Sequence, residues 1–447
     1  MRRSFVLSRG RLHVLSRELL IMEKRTLALL AVLISPLWGA QGPPQRESLP
    51  SRLTLAEATR LAVERNPLVA VSRNTVEMAQ GDVVNARLRP NPAITLETEN
   101  YPYFRSNPGP FFSNQEITAR FDYEIQTKSR LKLRTAAAEG AVEREEAAYQ
   151  NDVRLLRLEV QSAFYRVLLA QSNLELAQSI LAQADQVIAL NWTRFEQGDI
   201  SELEFTRIQV ERLQFADDVF QARLEVRNAK AALLALLYAP DLGADVAIAG
   251  DLSQIPELDV PFDAPPAQLY QLAFVSRPDL RAAEAEMQRS VAQNRFQRAI
   301  SSPNITVGGG YKRNGPDNSL VLGVTIPLPF FDRNQGGVLR SEAEIRRAEN
   351  LAAATRNRIE LEIRQAYNTF QINSERVAYI RSQQLQQAEK ASQVTMAAYR
   401  LGGAPLMDYL DAQRRYRDTM RVFNQALFEE RASRFGLAAA IGKGETE

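Results

Sequence analysis

The chain has 447 residues, of which 45% are hydrophobic and 24% charged, a composition that predicts a large folded protein and excludes a disordered one. Residues 1–40 carry seven Lys and Arg against two Glu, which leaves 48 basic and 51 acidic residues in the remainder, so we predict no nucleic-acid binding. Cysteine is absent and His13 is the only histidine, which excludes disulfides, thiolate metal sites and cysteine nucleophiles. The sequence also has no phosphate-binding loop and no serine nucleophile in a recognisable elbow, so we expect no enzyme, no catalytic residues, no metal site and no cofactor.

The first 40 residues predict a segment that is removed on export. Residues 1–21 carry five arginines and match no structural pattern, so we interpret them as an extension before the true start at Met22. From there, a basic start, an apolar core over 26–38 and a small-residue end at Gly39 and Ala40 indicate a signal peptide over 22–40. The alternative is a membrane anchor, but the core is shorter than the roughly 20 apolar residues of a spanning helix.

The remainder repeats one order of sequence patterns. The segment LEVQSAFY at Leu158 matches LEIRQAYN at Leu361, and RFEQGDISELEFTRIQ at Arg194 matches AYRLGGAPLMDYLDAQ at Ala398. Pro67 and Pro278, like Pro92 and Pro303, lie 211 residues apart. We therefore predict two repeats, 41–238 and 267–442, joined by a Pro-, Gly- and Asp-rich linker over 239–266 and followed by a tail over 443–447.

Each repeat predicts a helix, two strands, a very long helix, a bend and a further helix. The first helix is expected over 55–88, and the four strands over 93–101, 117–125, 305–312 and 320–326. In these strands apolar residues alternate with polar ones, which predicts one apolar and one polar face. Aromatic residues cluster at the strand ends, as at a membrane interface: Tyr101, Tyr103, Phe104, Phe111, Phe112, Tyr311, Phe330 and Phe331.

The long helix of the first repeat is predicted from about 129 to 197, because residues 141–197 contain neither glycine nor proline. Such a helix is roughly 100 Å long. Large and small apolar residues recur along it every seven residues and predict a coiled-coil contact: Val160, Val167, Leu174, Leu181 and Ile188, with Ala163, Ala170, Ala177 and Ala184 between them. Periodicity alone does not distinguish a solid helical bundle from a hollow barrel.

The strands have about nine residues each, the length of a tilted transmembrane strand. A membrane barrel needs about eight strands to close, and an open edge in lipid leaves backbone groups unpaired. Four strands in one chain therefore predict a barrel shared between subunits. The alternative is an ordinary small soluble sheet at the end of a helical bundle.

Two bends separate the long helices from the helices that follow. Gly198 marks the first bend, and Gly402, Gly403 and Pro405 mark the second. Asp408 and Asp411 follow the second bend, three residues apart and hence on one face of the next helix. Taken alone, this pair is typical of a solvated helix start that the helix dipole favours.

Together these segments resemble the TolC-type outer-membrane efflux channel family over residues 53–442. The similarity rests on the duplicated halves, the paired strands after RPNPAIT and SSPNIT, the long helices and the YRLG…MDYLDAQ bend. The stretch IPLPFFDRNQGG from Ile326 to Gly337 resembles the strand-to-helix junction of the heavy-metal subgroup, the partners of cobalt–zinc–cadmium-type pumps.

The resemblance implies a mainly α fold with a small transmembrane β part. Three chains would form a homotrimer whose twelve strands close a β-barrel in outer-membrane lipid and whose duplicated long helices continue it as a periplasmic α-barrel. The chain would be a passive exit duct in a Gram-negative outer membrane, completed by a periplasmic adaptor protein and an inner-membrane resistance–nodulation–division pump. The expected cargo is heavy-metal cations.

The same resemblance assigns roles to the bend. Asp408 and Asp411 match the paired aspartates that line the channel entrance, and Glu204 takes the place of Asp408 in the first repeat. Tyr399 matches a tyrosine of the gating network. Ala404 stands where some members carry an arginine of the closing salt bridge. The alternatives are a multidrug or other small-molecule duct of the same family and, in another class, a secreted soluble helical scaffold.

Overall fold

The computed structural model describes residues 49–100, 115–243 and 245–443. In chain order the elements of this part are β1 (Arg52–Leu53), α1 (Leu55–Arg65), α2 (Pro67–Arg87), β2 (Ala93–Glu99), β3 (Glu116–Ile125), α3 (Arg130–Glu196), α4 (Glu202–Leu236), β4 (Ala247–Ile248), α5 (Pro266–Ser276), α6 (Pro278–Ile300), β5 (Ile305–Asn314), β6 (Asp317–Thr325), α7 (Gln335–Tyr379), a π-helical segment (Ile380–Leu385), α8 (Gln386–Arg400) and α9 (Leu406–Ile441).

Several sequence predictions lie outside the described residues. These are the extension over 1–21, the signal peptide over 22–40, most of the tail over 443–447, and five of the strand-end aromatic residues: Tyr101, Tyr103, Phe104, Phe111 and Phe112.

The prediction of one helix over 55–88 is wrong in one respect, because the chain breaks at Asn66 into α1 and α2. Asn66 has an extended backbone (φ −70°, ψ 120°), the conformation that a following proline favours. Its side chain accepts a hydrogen bond of 2.8 Å from the amide of Leu68 and so caps α2. Arg277 and Pro278 make the same break between α5 and α6. Each proline begins a new helix at its first position.

The four long strands form one antiparallel sheet in the order β2-β3-β5-β6, so each repeat contributes one hairpin. The register keeps like residues on one face. Leu96 pairs with Ala119, Ala119 with Tyr311, and Tyr311 with Leu320. The predicted alternation is therefore confirmed, and it produces an apolar face that continues across all four strands.

The predicted long helix is confirmed as α3, a single α-helix of 67 residues. It contacts α2 and α6 along its sheet-proximal part, and α4 and α9 further on. The small residues of the predicted contact row are buried at Ala170, Ala177 and Ala184, as are Val160 and Val167. This row therefore does face the neighbouring helices.

The second repeat differs from the first in its long helix. Where α3 is continuous, the corresponding helix consists of α7, the π-helical segment and α8. The π-helical segment covers six residues, Ile380–Leu385, and the backbone on both sides of it is α-helical.

The predicted linker over 239–266 is packed against the two repeats. Its strand β4 pairs in parallel with β1, Ala247 opposite Arg52 and Ile248 opposite Leu53. Val246 and Leu252 belong to the main hydrophobic core with residues of both repeats. This Pro- and Gly-rich segment thus joins the two repeats through strand pairing and buried contacts.

No helix of the described residues contains a stretch that is both long and apolar enough to cross a membrane.

Candidate functional site

The far ends of the long helices carry two turns built in the same way. Gly198 and Gly402 adopt positive φ angles of 79° and 76°. Neither has an atom near the place of a side chain, so the requirement for glycine is conformational. In the second turn, the amide of Gly403 donates to the carbonyl of Ala398 over 2.8 Å. Pro405, with an extended backbone, is the N-cap residue that precedes α9. Gly198 and Gly402 therefore each follow a long helix in the left-handed conformation of a helix C-terminus, whereas Gly403 does not adopt it.

A small hydrophobic cluster holds the two turns together; we call it the tip core. Its buried members come from α3, α4, α8 and α9: Val187, Ile208, Tyr399, Leu406, Tyr409 and Leu410. The rings of Tyr399 and Tyr409 stack with centroids 5.5 Å apart and planes at 14°. The tip core therefore joins the first repeat to the second at the end furthest from the sheet.

Tyr399 also connects the repeats through its hydroxyl, which donates a hydrogen bond of 2.6 Å to Oδ1 of Asn191. Asn191 is fully buried, and its Nδ2 donates to the carbonyl of Val187 over 2.8 Å. The guanidinium of Arg194 lies 5.5 Å from the centre of the Tyr399 ring and donates to the carbonyl of Arg400 over 3.0 Å.

These surroundings change the proton affinity of both tip tyrosines. Burial is the main cause that raises the pKa of Tyr399, and the nearby carboxylate of Glu204 acts in the same direction, whereas the hydrogen bond to Asn191 opposes it. Burial raises the pKa of Tyr409 to about 12. Both hydroxyls are therefore protonated at neutral pH.

Asn191 and Arg194 are not among the site residues predicted from the sequence. A signal for Asn191 exists, because it continues the row Ile180, Ala184 and Val187 at spacings of four and three residues, which marks a buried position. A polar side chain in such a row needs a partner, and its partner comes from the other repeat.

Asp408 and Asp411 are exposed, and both line one side of a groove between α9 and α8. Asp411 is only loosely paired, since its Oδ1 lies 3.6 Å from Nη1 of Arg414 and its side chain is 57% exposed. Glu204 is half-buried near the start of α4, where its amide donates to the Ser201 hydroxyl over 3.2 Å. In the described part of the chain no hydrogen bond or ion pair joins Glu204 to either aspartate.

A charged row next to the groove ties α9 to α4. Arg414 binds the buried carboxylate of Glu211, with Nε 2.7 Å from Oε1. One heptad further on, Asp218 receives Nη1 of Arg417 at 3.0 Å and Nη2 of Arg421 at 3.1 Å. Ion pairs on the sheet side of the tip core therefore hold α9 of the second repeat to α4 of the first. Asp408 and Asp411 remain available to solutes.

The fold and this end of the helices have the features expected of one subunit of a membrane channel with long helices outside the membrane. One sheet has an apolar and a charged face. A helix of 67 residues, about 100 Å long, extends from this sheet to a tip with exposed carboxylates. Among the described residues, no three His, Asp or Glu side chains form a group that could hold a metal ion.

Comparisons with known proteins agree with this class. The family model for outer membrane efflux proteins matches residues 58–237 and 269–443. The cobalt-zinc-cadmium resistance protein CzcC of Cupriavidus metallidurans is 26% identical over 366 residues, which covers 81% of this chain and 83% of CzcC. The outer membrane protein TolC of Vibrio cholerae is 26% identical over 420 residues, 87% of this chain and 90% of TolC.

Among solved structures, the CmeC outer membrane channel of Campylobacter jejuni superposes with a TM-score of 0.72 at 16% identity, covering 87% of this chain and 86% of CmeC. The chain belongs to the outer membrane efflux protein family. The resemblance to TolC-type channels is thereby confirmed, and with it the fold class and the role of an outer-membrane efflux channel.

Proposed function

We propose that three copies of this chain close a twelve-stranded barrel and form the exit duct of a tripartite efflux system that exports heavy-metal cations. A periplasmic adaptor and an inner-membrane resistance–nodulation–division pump would supply the cargo at the tip of the helices. The observation that carries the proposal is the sheet, which has one continuous apolar face and two unpaired edges.

The apolar face supports a position in lipid. Leu320 and Leu322 on β6 are 85% and 87% exposed, and Leu96 on β2 is 75% exposed. Apolar side chains in such a continuous row are costly in water. In a bilayer the same row would be solvated by acyl chains, as on the outer face of a membrane barrel.

The edges support closure between copies. Strands β2 and β6 are the edges of the sheet, and all three internal pairings are antiparallel. With four strands of alternating direction, β6 of one copy runs antiparallel to β2 of the next. Copies therefore add to one another without a change of strand pattern, and a closed ring leaves no backbone group unpaired in lipid.

The opposite face of the sheet supports an aqueous lumen. Arg120 and Asp122 form an ion pair there, with Nε 2.8 Å from Oδ2, and Lys312 pairs with Glu116. Arg120 and Asp122 lie opposite glycines of β5, and the Asp122 carboxylate and the β3 backbone occupy the space where side chains at Gly308 and Gly310 would project. Because these charged side chains lie against the glycines of the sheet, they would leave space for water in the lumen of a closed barrel.

Asp408, Asp411 and Glu204 are proposed to line the entrance of this duct, with Tyr399 in its gate. Three copies would place six exposed aspartates around a narrow opening, an arrangement that attracts cations. The metal cargo is proposed from the name of CzcC. Export of drugs or other small molecules is the second candidate, supported by the similar coverage of TolC.

Conductance of the purified protein in planar bilayers tests the proposal. The parent channel is expected to prefer cations and to be blocked by a trivalent cation added on the tip side. Asp408→Asn with Asp411→Asn should weaken this block at least tenfold, because six charges are removed from a confined ring. Asp418→Asn is the matched control, since Asp418 lines the same groove seven residues beyond Asp411.

One result would contradict the channel itself, and another would contradict only the entrance role of the aspartates. A soluble monomer after membrane fractionation would end the channel function and favour the secreted scaffold. An unchanged block in the double variant would remove the aspartates from the entrance but leave the duct itself in place.

A further inference from the structure

Four cationic side chains line a pocket beside the C-terminal end of α9, which we call the basic pocket. Its volume is about 340 Å³, within the range of roughly 300–1,000 Å³ that small-molecule sites occupy. The cations are Arg154 and Arg157 of α3, Arg281 of α6, and Lys443 after α9. Among the described residues of the lining, Asp259 is the one acid, so four cations face one carboxylate, a net charge of +3. The chain beyond residue 40 has 48 basic and 51 acidic residues, so this local excess runs against its overall charge.

Two further carboxylates, Asp279 and Glu362, lie close enough to attract the charge of Arg154. Both are already paired with Arg277, whose side chain is 1% exposed: its Nη2 lies 2.6 Å from Oδ2 of Asp279, and its Nη1 lies 2.6 Å from Oε2 of Glu362. Arg358 adds a second cation, 3.2 Å from the same Asp279 oxygen. This cluster has two cations for two carboxylates, so it leaves no negative charge for the basic pocket.

The carbonyl end of α9 is engaged as well. The last four carbonyls of the helix, at 438–441, accept hydrogen bonds from the amides of Gly442 and Lys443, from Arg277 and from the hydroxyl of Ser276. The acceptors at this helix end are therefore held by groups of the chain itself.

Two guanidinium groups of the pocket have no ion pair within the described part of the chain. Arg154 is half-buried and donates only to neutral oxygens, from Nη2 to Oδ1 of Asn151 over 2.8 Å and from Nη1 to the carbonyl of Ala439 over 2.7 Å. Burial and then the charge of Arg277 lower the pKa of Arg154. The side chain of Arg281 is exposed and makes neither a hydrogen bond nor an ion pair with described residues. A partly buried cation without a counter-charge is costly, and an anion would remove that cost.

We propose that the basic pocket binds a small oxyanion with at least two negative charges, of the chemical class of phosphate. The oxygens of such an anion match the paired N–H groups of guanidinium, and two charges would neutralise most of the net +3. Asp259 does not oppose binding, because its side chain is 91% exposed and lies 2.7 Å from Nζ of Lys443. A bound anion would connect α3 of the first repeat to α6 and the end of α9 in the second, and so stabilise the junction of the repeats.

The position of the pocket favours a free anion over a lipid headgroup. Arg154 lies 24 residues beyond Arg130, the first residue of α3 after the sheet. At 1.5 Å per residue it is about 36 Å along the helix from the sheet. Headgroup phosphates at a membrane around the sheet do not reach this far. Only this step rests on the proposed function, which places the sheet in lipid.

Calorimetric titration of the assembled protein with inorganic phosphate, in a detergent and buffer without phosphate groups, tests the site. We expect saturable binding of one phosphate per chain, and a melting temperature that rises with phosphate but not with chloride at equal ionic strength. Arg281→Gln should weaken phosphate binding at least tenfold and leave the melting temperature without phosphate unchanged. Arg295→Gln is the matched control and should bind like the parent, because Arg295 is exposed on the same helix, two heptads further on and outside the pocket.

Two further arms identify the source of the anion. Repeating the titration in nanodiscs of phosphate-containing lipids should give the same affinity, whereas a much weaker one would assign the pocket to headgroups and contradict a free anion. Glu445→Gln with Glu447→Gln removes the two carboxylates that follow Lys443 in the sequence. Phosphate binding that appeared only in this double variant would assign the pocket to the chain's own carboxylates, and the proposal would be wrong.

The site itself is overturned if no saturable binding occurs up to ~10 mM phosphate, or if the parent and Arg281→Gln bind phosphate equally. None of these measurements uses conductance. Failure of the basic pocket would therefore leave the proposed channel standing, and a protein without conductance would leave the basic pocket standing.

Discussion

Tyr399→Phe should loosen the tip without disturbing its packing. The substitution keeps the ring that stacks on Tyr409 and removes only the hydroxyl. Oδ1 of Asn191, 2.6 Å from that hydroxyl and fully buried, would then lose its donor. A buried polar group left without its partner costs about 1–3 kcal/mol. Since about 1.4 kcal/mol corresponds to a factor of ten, local opening of the tip should become roughly five- to 150-fold more frequent.

Hydrogen–deuterium exchange of residues 395–412 in the assembled protein measures this opening. Tyr416→Phe is the matched control, because Tyr416 is half-buried on α9 and its hydroxyl has no hydrogen-bond partner in the described residues. Tyr399→Phe combined with Asn191→Leu should recover much of the loss, since removing both partners leaves no polar group unsatisfied. Equal exchange in Tyr399→Phe and Tyr416→Phe would refute the assignment of this hydrogen bond as a tie between the repeats.

Two further predictions concern packing and pH. Ala177→Leu should overpack a buried contact of α3 at a cost of about 1–3 kcal/mol and lower the melting temperature of the oligomer. Gln178→Leu on the exposed face should leave it unchanged. Equal melting temperatures of the two variants would show that the heptad row of α3 is assigned to the wrong face. Burial raises the pKa of Tyr409 from 10 to about 12. Its protonated hydroxyl therefore contributes fully to the free energy of unfolding below pH 10, and this contribution is lost as the pH rises to about 12. At about 1.4 kcal/mol per pKa unit this amounts to about 2–3 kcal/mol. If the parent showed a tyrosinate absorption step near pH 10 that is absent from Tyr409→Phe, this result would contradict the raised pKa of Tyr409.

Much of the fold follows from periodicity in the sequence. Alternation in the strands and the heptads of α3 are local patterns with a direct physical cause, since one face of each element must be buried or meet lipid. The glycines of the bends are likewise readable, because Gly198 and Gly402 need a backbone conformation that other residues avoid. These features were predicted correctly for that reason.

The remaining features depend on contacts between distant parts of the chain. Asn191 is an unremarkable helical residue until Tyr399 from the other repeat reaches it. The packing of the 239–266 segment depends on the pairing of β4 with β1, which its loop-like composition does not reveal. The matched positions Leu158 and Leu361 lie 203 residues apart, whereas Gly198 and Gly402 lie 204 apart, so the sequence shows one extra residue in the second repeat. Its place, the π-helical segment Ile380–Leu385, is visible only in the backbone. The entrance role of Asp408 and Asp411 remains a prediction.

The unpaired edges of β2 and β6 have a genetic consequence. A closed ring of copies tolerates no defective member, because one faulty edge leaves the whole ring open to lipid. A proline in the middle of β6, such as Leu322→Pro, would remove an edge donor while leaving the helices able to associate. With the proposed three copies per ring, equal expression of this variant and the parent would leave about one ring in eight free of the variant. Such an allele should therefore act as a dominant negative in cells that also carry the intact gene.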